Sequence, residues 1–412
     1  MEKVKFQEID FEKFAQIETK FEHINFIQSA AMAKVFSSRN YEVHYFVGSQ
    51  ENQDVTVAIL TAAPIFGGKK FELRFGPSFV EGKFDTEIFL SFMEYLKIYA
   101  KNNQGLILKI IPDLDLKKRF DNGETLALSE NEAISKRLQQ TAFKKTNPEI
   151  GYDEGEPTWH YVKDLSVFTS EKELLKSYSK DGQYSVKKTA QFGVKIRKLS
   201  FDELGDFKKI TGATSERRGY NDHDLAYYQT FYEVFGNKAQ FLVAEINFQT
   251  YVTALETQIN KLQSQIDKSD SAKKEKQRKE WQSQIDAQTK RLGEIQPFLE
   301  KYQKQSVILA GGLFVESEDE VIYLFSGSYE EFKNFYAPFA IQHHVMTETL
   351  KKKIPLYNFY GITGNFSGND SVLMFKQNFQ GYAVQKLGAF CYYPSPTKYK
   401  LIQMAKKVLG RH

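Results

Sequence analysis

The stretch that decides the fold is Ala254–Lys268, ALETQINKLQSQIDK. It interrupts a sheet. Just before it, KAQFLVAEIN (238–247) reads as a β-strand, and after about fifty residues QSVILAGGLFVES (305–317) reads as the next strand of the same sheet. Val252, Leu255, Ile259, Leu262 and Ile266 are separated by alternating threes and fours, as are Trp281, Ile285, Gln288, Leu292, Ile295 and Leu299. Such spacing puts one apolar seam on each of two helices and leaves Lys, Glu, Gln and Arg to cover the rest. The polar DKSDSAKKEK (267–276) between the seams is turn-prone, so the helices fold back as an antiparallel hairpin. At 1.5 Å per residue each helix is roughly 25–35 Å long. Periodicity leaves the arm's purpose open between dimerisation and gripping a large anionic partner. Lys273, Lys274, Lys276, Arg278 and Lys279 near its tip suit phosphate contact, although Glu275 and Glu280 dilute them.

On either side of the arm, strands and amphipathic helices alternate. VTVAILTAAPIFGGKKFELRFGPSF (55–79), the helix TEIFLSFMEYLKIYAKNNQ (86–104) and the strand GLILKIIP (105–112) make one α/β set. WHYVKDLS (159–166), VKIRKLS (194–200), the helix DLAYYQTFYEVFG (224–236), EVIYLFSGS (320–328), APFAIQHHVMTETLKKK (337–353) and YNFYGI (357–362) make a second. The similar order suggests a duplicated unit: 1–150 as the first, 151–248 with 306–395 as the second, 249–305 as the arm and 396–412 as a terminal helix. With 412 residues, 41% hydrophobic and 15% aromatic, the chain can fill two large cores. A formal charge of +4 permits an anionic partner without requiring one. The single cysteine, Cys391, allows no internal disulfide and suits a reducing compartment. The first residues lack the apolar run of a secretory signal, and no uninterrupted apolar stretch of about 18 residues is present, so the expectation is a soluble cytoplasmic protein.

Familiar catalytic signatures are missing. The seven histidines are scattered, and the adjacent His343 and His344 cannot share a helix face, so no metal site is expected. GITGNFSGND (361–370) and FGGKKFE (66–72) are glycine-rich but lack the Gly-Lys-Ser/Thr of a phosphate loop, and no dinucleotide fingerprint follows the first strand. Neither ATP-driven chemistry nor any other cofactor is expected.

What remains is a block dense in aromatic and small residues: IYLFSGSYEEFKNFYAPFAIQ (322–342), then LYNFYGITGNFSGNDSVLMFKQNFQGY (356–382). In the order Ser-Gly-Ser, YAPFAIQ, YNFYGI and FKQNF, this block resembles the Fem aminoacyltransferase family (FemABX), whose enzymes add amino acids to the peptidoglycan peptide from aminoacyl-tRNA. GEPTWHYVKDLS (155–166), TSERRGYNDHDLAYYQTFYEVFG (214–236), FIQSAAMAKVF (26–36) and RFGPSF (74–79) extend the resemblance over essentially the whole chain. It is most similar to the streptococcal MurN type. The resemblance implies an α/β fold of two GNAT-like domains with the helical arm inserted in the second, similar to the tRNA-gripping arm of seryl-tRNA synthetase. It further implies a monomer at the inner face of the cell membrane, with Ala-tRNA as donor and lipid II carrying a begun branch as acceptor. Alternatives are addition of the first residue, Ser or Ala, and a scaffold that binds tRNA without chemistry.

The same resemblance implies roles for individual residues. Lys376 neutralises the oxyanion, and Phe375 packs the adenosine end. Tyr227 approaches the muropeptide, and Arg217 and Arg218 contact diphosphate. Tyr323, His223 and Lys34 join the substrate site. Three positions depart from the nucleotide-using branch of the family: Phe36 stands for a lysine, Ile111 for an aspartate and His223 for an arginine, which favours a lipid-linked acceptor. Lys376 is expected to follow an apolar strand. Asp222, Asp224 and Asp370 are bases by residue type only, and that role stays unassigned.

Overall fold

The computed structural model describes residues 3–146, 150–269 and 274–408. The first unit runs β1 (Lys5–Ile9), α1 (Phe11–Glu18), α2 (Ala30–Ser38), β2 (Glu42–Gln50), β3 (Gln53–Ile65), β4 (Gly68–Arg74), α3 (Thr86–Asn102) and β5 (Gly105–Ile111). Two strands follow, β6 (Asp115–Arg119) and β7 (Thr125–Leu128), and then β8 (Trp159–Asp164). The second unit repeats the order with β9 (Lys195–Lys198), α4 (Leu204–Arg218), α5 (Leu225–Phe235) and β10 (Ala239–Asn247). The arm helices α6 (Phe248–Asp267) and α7 (Glu275–Tyr302) come next. The unit resumes with β11 (Ser306–Glu316), β12 (Glu320–Ser328), α8 (Ala337–Lys351) and β13 (Leu356–Ile362). The chain closes with α9 (Ser371–Gln377), β14 (Tyr382–Lys386), β15 (Phe390–Tyr392) and α10 (Pro396–Val408).

Both units therefore read strand, two helices, three antiparallel strands, helix, and a final strand parallel to its neighbour. The parallel pairs are β4 with β5 and β12 with β13. This is the α/β duplication expected, with the hairpin inserted into the second unit. The insertion point has a simple counterpart: β2 turns directly into β3 through Glu51 and Asn52, both at positive φ (52° and 62°), as a tight hairpin demands. At the equivalent turn Asn247 pairs with Ser306, and the arm leaves from there.

The sheets do not divide at residue 150. One runs β1-β2-β3-β4-β5-β15 and ends on Lys144–Lys145, whereas the other runs β9-β10-β11-β12-β13-β8-β14-β6-β7. Residues 115–128 of the expected first block thus lie in the second sheet, and 390–392 of the expected second block lie in the first. The exchange makes the units one body. A shared core joins Phe14, Phe36 and Val47 to Phe207, Tyr228 and Phe241. Burial at this scale is the main driving force holding them together.

The arm seam is as its period requires. Each of its eleven named residues is buried or half-buried, and the helices run antiparallel, with Phe248 stacked on Phe298 and the Tyr251 hydroxyl near Arg291. Burial is deepest at the root, where Phe248 and Ile295 are fully enclosed against Phe332 and Phe335. Among the described residues, the arm is thus rooted in the second core and held farther out by its own seam.

One expected element differs. Lys376 lies on helix α9, not after a strand. The run Val-Leu-Met-Phe suggests a strand by composition, but Asp370 caps the segment by accepting from the Val372 and Leu373 amides. Leu373, Lys376 and Phe379 then face inward at a spacing of three, which only a helical turn satisfies.

Candidate active site

The parallel pair β12/β13 is hydrogen-bonded only from Glu320–Ile322 to Leu356–Asn358. In the first unit the equivalent pair stays joined from Lys69 to Arg74. Beyond Ile322 the second pair is no longer joined, and a cavity of about 340 Å³ opens along the free part of β12. Its walls include Tyr323, Ser326, Gly327, the start of α8, the end of α4, and Phe375 with Lys376.

Lys376 is 4% exposed, and its ammonium donates to the carbonyls of Tyr360 (3.2 Å) and Gly361 (2.5 Å), at the end of β13 that is not joined to β12. Burial pulls the Lys376 pKa down to about 7, and Asp370 only partly opposes this. An ammonium has three donors; two are used here, and one remains for a ligand. Tyr360 adopts a left-handed backbone (φ 61°) fixed by the Asn358 side chain, which accepts from its amide at 2.8 Å. Strain of this kind in a bulky residue collects where function needs one geometry.

Positive potential converges on the cavity from other directions. The N-terminus of the 15-residue helix α8 opens there at Ala337 and Pro338. Arg217 and Arg218 stand exposed at the rim. Arg217 donates to the Ser328 carbonyl at 3.1 Å and approaches Glu330 at 3.8 Å. Tyr323 stacks on Phe314, and burial pushes its hydroxyl up to about 12. Phe375 sits edge-on to Phe339 at 5.0 Å, so it is half core and half wall.

Five of the expected residues therefore meet in one cavity: Lys376, Phe375, Arg217, Arg218 and Tyr323. Tyr227, His223 and Lys34 do not line it. His223 stacks on Tyr227 at 3.9 Å beside the contact of α2 with α5, and its Nδ1 lies 3.0 Å from Arg39. Burial, with Arg39 nearby, lowers His223 to about 4, so it is neutral. Lys34 is exposed, 5.4 Å above the Phe11 ring. Tyr360 links the two regions: its carbonyl takes Lys376, while its hydroxyl donates to Glu156 at 3.4 Å in the electrostatic neighbourhood of Tyr227.

Lys274, Lys276, Arg278 and Lys279 lie at the distal end of the arm, largely exposed, with Lys279 paired to Glu275 at 2.7 Å. Lys273 lies outside the described residues. The three aspartates considered as bases are all engaged. Asp222 holds Lys208, Thr211 and Tyr228; Asp224 caps α5; Asp370 caps α9 and holds Thr363. Among the described residues no three His, Cys, Asp or Glu side chains converge as a metal site needs.

Sequence reasoning missed Arg39, Arg74 and Tyr360. Arg39 follows Phe36 by three residues and so shares its helical side, a signal that was available. Arg74 lies over Phe36 at 5.7 Å and is held by Glu72, with Glu156 nearby. Two guanidinium groups thus stand beside Phe36 and His223. The profile of the FemAB family matches residues 7–407. The chain belongs to the FemAB family. Aminoacyltransferase FemA of Staphylococcus aureus strain RF122/ET3-1 is 26% identical over 423 residues, covering 99% of this chain and 100% of that protein. FemA of strain N315 is 26% identical with the same coverage. The crystal structure of FemX superposes with a TM-score of 0.71 at 19% identity, over 97% of this chain and 100% of that one, a likeness of fold. The FemAB match runs across both units and the arm.

Proposed function

We propose that this chain is an aminoacyltransferase that moves the aminoacyl group of aminoacyl-tRNA onto an amine of lipid II, extending the branch on its stem-peptide lysine. The observation that carries the reading is the buried Lys376 at the cavity along the free part of β12, beside the α8 N-terminus and two rim arginines. The curated relatives FemA are named aminoacyltransferases. We further assign alanine as the amino acid, added in second position as in the MurN type. The protein acts as a monomer at the inner membrane face, held there by its lipid substrate. Among the described residues no helix is long and apolar enough to cross a membrane.

An aminoacyl ester is already activated. The acceptor nitrogen attacks the ester carbonyl, the new C–N bond forms, the C–O bond to the terminal ribose breaks, and the nitrogen's proton leaves to the released oxygen or to solvent. The chain's part is to hold donor and acceptor in register and to place positive charge where the oxyanion develops. Lys376 supplies that charge from a site shielded from water, where it acts more strongly. Phe375 and Tyr323 shape the wall for the terminal nucleoside. Tyr227, His223, Arg39 and Arg74 form the acceptor side, with Tyr360 between the two.

The test combines purified protein with Ala-, Ser- or Gly-charged tRNA and lipid II, branched or unbranched. One alanine added to the branched acceptor is the expected product. No transfer from any charged tRNA to any acceptor would falsify the reading.

A further inference from the structure

A second groove, of about 680 Å³, lies where the arm leaves the body, between the root of α6 and α7 and the helix Lys180–Gln191. Tyr336 lines both this groove and the cavity beneath Lys376. It stands at the start of α8 in a left-handed backbone (φ 54°), a conformation costly for an aromatic residue. The two recesses are therefore adjacent across one residue with a strained backbone.

The groove carries the chemistry of a polyanion with bases. Lys188, Lys290 and Arg291 line it, against one carboxylate, Glu294, which Arg291 itself holds at 2.9 Å. The Arg291 guanidinium lies over Phe192 (4.6 Å) and Phe335 (5.0 Å), which fixes its plane, and its Nη2 has no hydrogen-bond partner. The Gln288 Oε1, on the same wall, is also unpartnered. Tyr184 is 53% exposed with its ring edge-on to Tyr336 at 6.1 Å, and Lys188 sits 5.5 Å from the same ring. Cations along a groove with an exposed aromatic platform are the features that hold single-stranded nucleic acid. A unique base sequence is not required, because every base offers a face to stack.

Resting on the donor proposed above, we propose that this groove carries the single-stranded 3′ segment of the charged RNA. Its phosphates lie on Lys188, Lys290 and Arg291, a base lies on Tyr184, and the esterified end passes Tyr336 into the Lys376 cavity. The arm then holds the RNA body, and its root, not its tip, sets the path of the reactive end. The aromatic packing of Arg291 also makes the path rigid.

The experiment compares wild type with the K188A/K290A double variant and with Y184A, using two donors: intact aminoacyl-tRNA and an aminoacylated dinucleotide ending in adenosine, which fills only the cavity. For intact tRNA the double variant raises KM about tenfold with kcat within twofold of wild type. Because two single-strand phosphate contacts are lost, its dependence of log KM on log salt weakens by about 1.4. Y184A raises the same KM with the salt slope unchanged. Both variants use the dinucleotide as wild type does and keep its melting temperature. The inference is overturned if KM for tRNA does not move, or if both donors lose equally. A defect confined to pelleting with phosphatidylglycerol vesicles overturns it in favour of a lipid surface. If wild type transfers from neither donor, the donor reading itself has failed, and the inference with it.

Discussion

The ammonium of Lys376 lies 2.5 Å from the carbonyl oxygen of Gly361, and this contact ties the wall of the cavity to the end of β13. The two carbonyls that hold it fix its direction. Replacing Lys376 by Met removes the charge placed at the proposed oxyanion, and losing one such donor lowers kcat about 100- to 1000-fold. Steady-state kinetics with charged tRNA check this; a Met variant with normal kcat would remove Lys376 from the chemistry.

The same residue sets a pH limit. The proposed role requires its ammonium form, and its pKa is lowered to about 7 by burial. In the free enzyme kcat/KM therefore falls as pH rises through about 7, while deprotonation of the acceptor amine pushes the rate upward from the acid side. The profile is bell-shaped. In Lys376→Arg the guanidinium stays charged, so the residual activity keeps the rising limb and loses the falling one.

Stability follows with a worked sign. Between about pH 7 and 10.5 the unfolded chain holds the Lys376 proton and the folded chain does not. Unfolding free energy attributable to this group therefore rises with pH across that window and is lost on descending through it. Lys376→Met lacks this dependence, so the stability of wild type relative to the variant rises between pH 7 and pH 9.5. Urea unfolding at pH 7 and pH 9.5 measures it. An equal wild-type-minus-variant difference at both values would contradict the assignment.

Much of this was written in the chain. The arm seam was legible because threes and fours persist over eleven positions, and the duplicated α/β order because each strand is bounded by glycine, proline or a polar turn. The strand exchange was not, since β6, β7 and β15 carry no local mark of the sheet they join. Lys376 was singled out through the resemblance of its Phe-Lys pair to the family's, but its helix was obscured by four apolar residues that fit a strand equally well. Arg39, Arg74 and Tyr360 gain their meaning only from the contact of α2 with α5 and from a backbone angle, neither of which is local in sequence.

Burial along the arm dictates how it should be cut. Phe248, Tyr251, Leu255 and Ile295 belong to the second core, so deleting the whole insertion would open that core. Removing 259–285 and joining the ends with a short Gly-Ser turn takes away only the distal seam. The truncated protein is expected to melt within a few degrees of wild type, to have an unchanged monomeric mass by sedimentation, and to show a KM for charged tRNA at least tenfold higher. A halved mass relative to wild type would instead make the arm a dimer contact.

Arg39 offers a test of the acceptor side. It is exposed, touches His223 Nδ1 at 3.0 Å and lies 5.5 Å from the Tyr227 ring, so its loss costs little stability. A charge-assisted contact to a diphosphate contributes about 1.5–3 kcal/mol. Arg39→Ala is therefore expected to raise KM for lipid II roughly 10- to 150-fold, with kcat for bound substrate nearly unchanged. His223 is neutral partly because Arg39 stands beside it. An arginine at 223 would be repelled in the wild-type background but welcome once Arg39 is gone. The double variant Arg39→Ala/His223→Arg should therefore recover much of the lost affinity, whereas His223→Arg alone should not improve on wild type. If the double variant is no better than Arg39→Ala, the cation at this place does not meet the acceptor, and the diphosphate must lie elsewhere.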